Sequence, residues 1–590
     1  MEHNAGVSAR RLIRERPVTI AVAILAAVLA IWIYIHRPRP ARPTTVVVNG
    51  SRAANRPKRL VVYAHSMGRG VPRTRRVLER LLREPELAGS DLLVFDPHAV
   101  RLSIGPGDRL ASLLRAEIDA QWVRAGGYDD LVIVGSSLGS LLIRQAYLTS
   151  AGADPNKPRT IPWSDKVSRI VLLAGLGRGI NIENEGNWKW VVRVGRYVPL
   201  LRETVAYDQL RGAEFITQIR IAWIRYFDEL NRAAASDTSQ HVPIVVQLLG
   251  TEDYFVTHND NIDFDQFPNA FHIDVPNAQH EVLWFGTPAQ AELRYPLYRE
   301  AFVSRSLPHA APRRASVDSV DRVVFLLHGL RSSRDSWVKE LATVLRARMP
   351  RAEIVESSYG HISLLGFMLP AVRRRERRWL QDQYTEYLAR HPSATFDVVA
   401  HSNGTYLLGE SLARLPVMRF DRVALLSSVL PRDYSWRQRH LLGQAGTVLS
   451  DRAASDVVGA VITNGLHGLG MMDIGPSGWS GFDEGGSFLV EPPWIAGGHS
   501  ATVSSRNLAS VAEFIVDGRV APVEAAADPE PSPFLRLASS TAPWIVFLLA
   551  MLLAAAGIYW VRKAPPSGRF SRVVALCAIA FVLSILLDVL

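Results

Sequence analysis

A short apolar strand, a tight turn and a helix follow one another without pause in GYDDLVIVGSSLGSLLIRQAYL, residues 127–148. No other stretch restricts the fold as much. Leu131–Val134 is apolar and largely β-branched, as in a strand of a parallel α/β sheet covered on both faces, and from Leu138 the apolar residues recur at helical spacing. The turn between them is Gly135-Ser136-Ser137-Leu138-Gly139, a G-x-S-x-G pattern. Its glycines let the backbone double back, which holds Ser137 in a strained turn with its hydroxyl exposed at the helix N-terminus.

The strands around this turn are short and regularly spaced. Leu60–Ala64 runs into His65-Ser66-Met67-Gly68, and Asp91–Phe95 and Arg169–Ala174 read as further strands. Pro243–Gly250 delivers Thr251-Glu252-Asp253, and Phe271–Val275 precedes a loop carrying His280. The chain order is therefore a serine, an acid and a histidine. This arrangement resembles the α/β-hydrolase superfamily of serine esterases and lipases, with the G-x-S-x-G turn similar to its nucleophile elbow. The resemblance implies Ser137 as nucleophile, Asp253 as acid and His280 as base, with the backbone N–H groups of Met67 and Leu138 forming an oxyanion hole. Ser66 stands where the family's His-Gly loop has glycine. As an alternative nucleophile Ser66 is disfavoured, since it leaves the first strong strand and Pro72 follows soon after.

The plan then recurs. Arg322–Leu327 leads into His328-Gly329-Leu330, and Phe396–Ala400 leads into Ala400-His401-Ser402-Asn403-Gly404. His65 and Ser137 are 72 residues apart, and His328 and Ser402 are 74 apart, a match that points to duplication. In this second copy the resemblance implies Ser402 as nucleophile, His499 as base, and the N–H groups of Asn403 and Leu330 as oxyanion donors. Asp456 is favoured as the acid over Asp451, and His467 lies too soon after the acid strand to be the base.

Three apolar runs, Val18–Ile35, Ala542–Val561 and Val573–Leu590, are near the roughly 20 residues that a spanning helix needs. The expected architecture is thus α/β, with two tandem α/β-hydrolase domains, one N-terminal and two C-terminal transmembrane helices. Its segments are an anchor at 1–36, a linker at 37–58, the first domain at 59–303 with a helical insertion at about 177–236, a linker at 304–320, the second domain at 321–520, a linker at 521–541 and two membrane helices at 542–590. Basic loops beside the runs place the hydrolase domains on the extracytoplasmic side of an integral membrane protein. A cleaved signal peptide is the alternative reading of the first run. Trp188, Trp190, Trp223, Tyr226 and Phe227 in the insertion would either line a lid over an acyl pocket or form its packed interior, and helical spacing favours the interior.

A formal charge of +11 is spread over the chain and crowds at Arg373, Arg374, Arg375, Arg377 and Arg378. This reads as a solvated helix face rather than a nucleic-acid site, because no recognised nucleic-acid motif accompanies it. One cysteine, Cys577, excludes a disulfide framework and a cysteine-based zinc site. No phosphate loop, dinucleotide fingerprint or zinc motif occurs, so no cofactor or metal is implied. The expected partners are an ester or acyl substrate and membrane lipids. The sequence leaves the oligomeric state open.

Overall fold

The computed structural model describes residues 45–47, 57–67, 71–99, 106–153, 161–180, 204–261, 266–280, 287–312, 320–329, 337–356, 367, 370–520 and 530–563. Within the first half, β1 (Thr45–Val47), β2 (Arg59–Ala64), β3 (Asp91–Phe95), β4 (Asp130–Ser136), β5 (Val167–Leu173), β6 (Ile244–Gly250) and β7 (Ala270–Val275) form one sheet in the order β1-β3-β2-β4-β5-β6-β7. All of its pairs are parallel except β1 with β3. The interior residues of β2 and β4 are buried, which their apolar, β-branched composition favours. Residues 45–47 fall in the stretch read as a linker; they instead add an antiparallel edge, Thr45 opposite Val94.

The second half repeats the construction. Strands β8 (Arg322–Leu327), β9 (Ala352–Glu356), β10 (Thr395–His401), β11 (Phe420–Leu426), β12 (Ala445–Asp451) and β13 (Leu489–Val490) make a sheet in the order β13-β12-β11-β10-β8-β9, parallel throughout. Helices α1 (Leu138–Ser150), α2 (Glu214–Ser236), α3 (Pro370–Arg390) and α4 (Asn403–Arg414) lie among those flanking the sheets.

The two halves share a core. One apolar cluster runs from Leu60, Val62 and Ile133 through Trp223 and Phe227 of α2 to Tyr384 and Leu388 of α3, and on to Val323, Phe325 and Val398. Trp223 and Phe227 are buried and pack with Tyr147 of α1, so these insertion aromatics are interior rather than a lid. Trp188 and Trp190 lie outside the described residues.

Two of the five arginines, Arg373 and Arg377, prove to be buried in an interface, while Arg374, Arg375 and Arg378 are partly exposed. Residues 373, 376, 377, 380, 381, 384, 385 and 388 recur every three or four positions on one side of α3, and all are buried. Arg377 meets Glu214 of α2 at 2.7 Å, and Arg178 grips Asp382 with two bonds of 2.7 Å while reaching Glu386 at 3.0 Å. Partners from the other half, 163 to 204 residues away, offset the desolvation of these cations. Arg178→Met would leave the largely buried Asp382 carboxylate without its cation, while Glu386 keeps Arg390 and Arg220, and is expected to cost about 3 kcal/mol. Denaturant titration checks this, and an unmoved midpoint would show that the pair does not hold the halves together.

The expectation of membrane-spanning helices is overturned. The run 542–561 lies inside α5 (Pro533–Arg562), whose first half carries Ser539, Ser540, Thr541 and Pro543. That half is docked on the second domain, with Asn464 donating to the Ser539 carbonyl and hydroxyl at 2.9 and 3.0 Å and with Ala542 buried. Among the described residues no helix is long and apolar enough to cross a membrane. The runs 18–35 and 573–590 lie outside the described residues. The integral-membrane localisation and the extracytoplasmic placement rested on these spans and are withdrawn with them.

Candidate active sites

Both serines sit between a strand and a helix in backbone conformations that side chains rarely adopt. Ser137 follows β4 with φ 49° and ψ −115°, and Ser402 follows β10 with φ 52° and ψ −119°. Such strain persists only where the surroundings over-determine it. Here they do: a Cβ placed on Gly139 would lie 2.1 Å from the Ala64 carbonyl oxygen, so only glycine lets α1 approach β2 this closely. Placing each serine at a helix N-cap also makes the next backbone N–H, of Leu138 or Asn403, the first of its helix.

The loops that follow later strands bring a histidine and a carboxylate to each serine. Beyond β7, His280 places Nε2 2.8 Å from Ser137 Oγ, and its Nδ1 lies 2.8 Å from Asp253 Oδ2. Asp253 is buried, and its other oxygen accepts the N–H groups of Phe255 and Val256 at 2.9 and 3.1 Å, which fixes the carboxylate. In the second half, His499 Nε2 lies 2.8 Å from Ser402 Oγ, and Nδ1 lies 2.9 Å from Asp456 Oδ2. Asp456 is completely buried and also accepts the Gly459 N–H at 2.8 Å. In both sites the carboxylate can only accept, so Nδ1 carries the proton and Nε2 presents the lone pair toward the serine hydroxyl.

These sites sit on sheets of one recognisable order. Beside each elbow strand lies, on one side, the strand that carries the His-Gly-type loop and, on the other, the successive strands that lead to the acid and the base. The chain has the α/β-hydrolase fold. No family model matches the sequence, and no curated protein matches it. Solved structures similar to it include a soluble variant of monoglyceride lipase from Saccharomyces cerevisiae, 12% identical, covering 46% of this chain and 95% of that one with a TM-score of 0.29. An esterase from Pyrobaculum calidifontis is 12% identical, covering 47% and 90%, TM-score 0.29. Est1E from Butyrivibrio proteoclasticus is 16% identical, covering 44% and 91%, TM-score 0.26. Likeness at this level says nothing about the chemistry of this hydrolase fold, which its residues must carry.

The alternatives weighed from sequence separate cleanly. Asp451 bonds Asn507 at 2.7 Å and has no bond to His499. His467 is occupied with the Ile474 carbonyl at 2.8 Å, and among the described residues Ser66 reaches only the Met67 carbonyl, at 3.4 Å. Of the oxyanion candidates, Met67 lies in the loop after β2, held by Gln209 donating to its Sδ at 3.3 Å, while Leu138 and Asn403 open α1 and α4. Leu330 lies outside the described residues. Gly329 passes so near the second elbow that a Cβ there would lie 2.9 Å from that of Ser402, whereas the first loop carries a Cβ at Ser66.

Two residues of the second site escaped sequence reasoning. The His499 carbonyl accepts the Ser427 hydroxyl at 2.7 Å and the His401 Nε2–H at 3.4 Å, so this histidine is held by its backbone as well as by its ring. Burial, aided by the neighbouring His499, pushes His401 down to about 3, which keeps it neutral at ordinary pH. Neither role had a local signal beyond the residues' placement next to the elbow and at the end of β11.

Burial also pushes the Asp451 carboxyl up to about 6, against the opposing bond from Asn507. Its folded value thus exceeds the unfolded one near 4. The stabilisation this provides is complete below about pH 4 and is lost as pH rises through about 6, with an expected amplitude of about 3 kcal/mol. Asp451→Asn should remove that slope, which denaturation at pH 4, 5, 6 and 7 would reveal. Parallel pH profiles for the two proteins would refute it.

Proposed function

We propose that this protein is a serine hydrolase of carboxylic esters that acts at two sites, Ser137–His280–Asp253 and Ser402–His499–Asp456. The observation that carries this reading is the pairing, twice in one chain, of a strained N-cap serine with a histidine at 2.8 Å and a buried carboxylate behind it. Histidine would take the serine proton as Oγ attacks the ester carbonyl, and the carboxylate would stabilise the imidazolium. The oxyanion would be met by the N–H groups of Leu138 and Met67 in the first site, and of Asn403 and Leu330 in the second. Acyl esters, including those of lipids, are the proposed substrate class. The buried packing of Trp223 and Phe227 removes them as lining for a long acyl chain, so chain length is a matter for assay.

A second reading, in which only the Ser402 half turns over, is favoured by Ser66, whose Cβ occupies the loop position that Gly329 keeps bare. Labelling the intact protein with a fluorophosphonate and mapping the modified peptides tests both readings. Modification of Ser137 and Ser402 supports the two-site reading, and modification of Ser402 alone supports the second. Absence of label from folded protein would sink both.

A further inference from the structure

The two elbows share a bond pattern that triad chemistry does not require. Three residues after each nucleophile stands a buried hydroxyl, Ser140 in α1 and Thr405 in α4. Each donates to the carbonyl of its nucleophile, Ser140 Oγ to Ser137 O at 2.5 Å and Thr405 Oγ1 to Ser402 O at 2.7 Å. Each also accepts a backbone N–H from the loop after the next strand, Leu176 at 3.1 Å and Val429 at 3.0 Å. Leu176 and Val429 both lie three residues beyond their strands, β5 and β11. The first residue past each of these strands has the same positive φ, 46° at Ala174 and 45° at Ser427.

A serine or threonine in a helix often bonds back to a carbonyl three or four residues earlier, and that half of the pattern alone would mean little. The N–H arriving from a separate loop changes its meaning. It fixes the hydroxyl as an acceptor on one side and so directs its proton to the nucleophile's carbonyl. That carbonyl belongs to the same peptide plane as the N–H of Leu138, or of Asn403 in the second copy. Gripping the oxygen end of the plane therefore sets where its nitrogen end points. A chain of donors running N–H to Oγ–H to C=O also polarises the peptide and strengthens its outward N–H as a donor.

We propose that Ser140 and Thr405 are positioning residues that aim and polarise the oxyanion-donor peptide of each site. The proposal rests on the serine-hydrolase reading above and goes beyond it by assigning a further residue to each site. Because the hydroxyl acts through the peptide, its loss should weaken the tetrahedral state and leave ground-state binding alone. The halves use different hydroxyl residues for one task, so serine and threonine should substitute for each other.

The test uses the full chain and follows fluorophosphonate labelling of Ser137 and Ser402 separately. Ser140→Ala is expected to slow labelling of Ser137 about tenfold, less than the loss of a direct oxyanion donor, without slowing Ser402. Ser140→Thr should restore most of that rate. With an ester substrate at the Ser137 site, isolated in a Ser402→Ala background, Ser140→Ala should lower kcat at constant KM and weaken binding of a boronic acid in proportion. Labelling at the unsubstituted rate would overturn the proposal, as would equal slowing at both serines or a raised KM with kcat preserved. Should Ser140→Ala not fold, Thr405→Val read at Ser402, with Thr405→Ser as its rescue, is judged by the same criteria. If neither serine labels in the unsubstituted protein, the hydrolase reading falls and takes this proposal with it; an unslowed Ser140→Ala overturns the proposal alone.

Discussion

Replacing Ser137 with alanine is expected to lower turnover at the first site by a factor of about 10⁴ to 10⁶ while Ser402 still accepts a fluorophosphonate, and Ser402→Ala should do the converse. The size follows from covalent chemistry: without Oγ no acyl-enzyme can form, and only the oxyanion hole and binding remain. The independence follows from structure, since each serine has its own histidine at 2.8 Å and its own buried carboxylate. Comparing the two variants on a panel of esters would show whether the sites divide substrates between them. If either substitution leaves both activities intact, that serine is not a nucleophile, whatever its backbone strain.

Asp456→Asn should lower kcat at the second site by about 10⁴, the loss expected when an amide no longer holds the histidine in the tautomer with its proton on Nδ1. Asp456 makes both of its oxygens available to His499 Nδ1, at 3.0 and 2.9 Å, from a fully buried position. Asp451→Asn provides the contrast. Its carboxylate faces Asn507, so that substitution should change the pH dependence of stability and leave kcat within a few-fold. Single-turnover kinetics on the two variants would decide the matter, and a larger kcat loss in Asp451→Asn would reverse the assignment.

How much of this could be read from the chain depends on how local each signal is. The elbow was legible because a buried strand, two small residues and a helix write it within a dozen consecutive positions. The late histidines and carboxylates that meet the serines were legible through their order and their places after strands, yet which of Asp456 and Asp451 faces His499 depended on the path of the loop beyond β12. The arginine cluster on α3 could not be understood locally, because Arg377 finds its carboxylates at Glu410 and at Glu214, 163 residues away. Read alone, five arginines on a helix look solvated. The run 542–561 misled for the opposite reason: its hydropathy is local, whereas the docking of Ser539 and Ala542 against residues of the second domain is not.

The bond from Arg178 to Asp382 joins residues 204 positions apart, and during synthesis that separation is an interval of time. At about 5–20 residues per second the first half would leave the ribosome roughly 10–40 s before the carboxylates that receive its arginine. Throughout that wait the nascent first domain would present Arg178, Arg220 and the apolar side of α2 to its surroundings. The shared core therefore makes the second half the completing element of the first, and a stall between them would strand a half-covered intermediate.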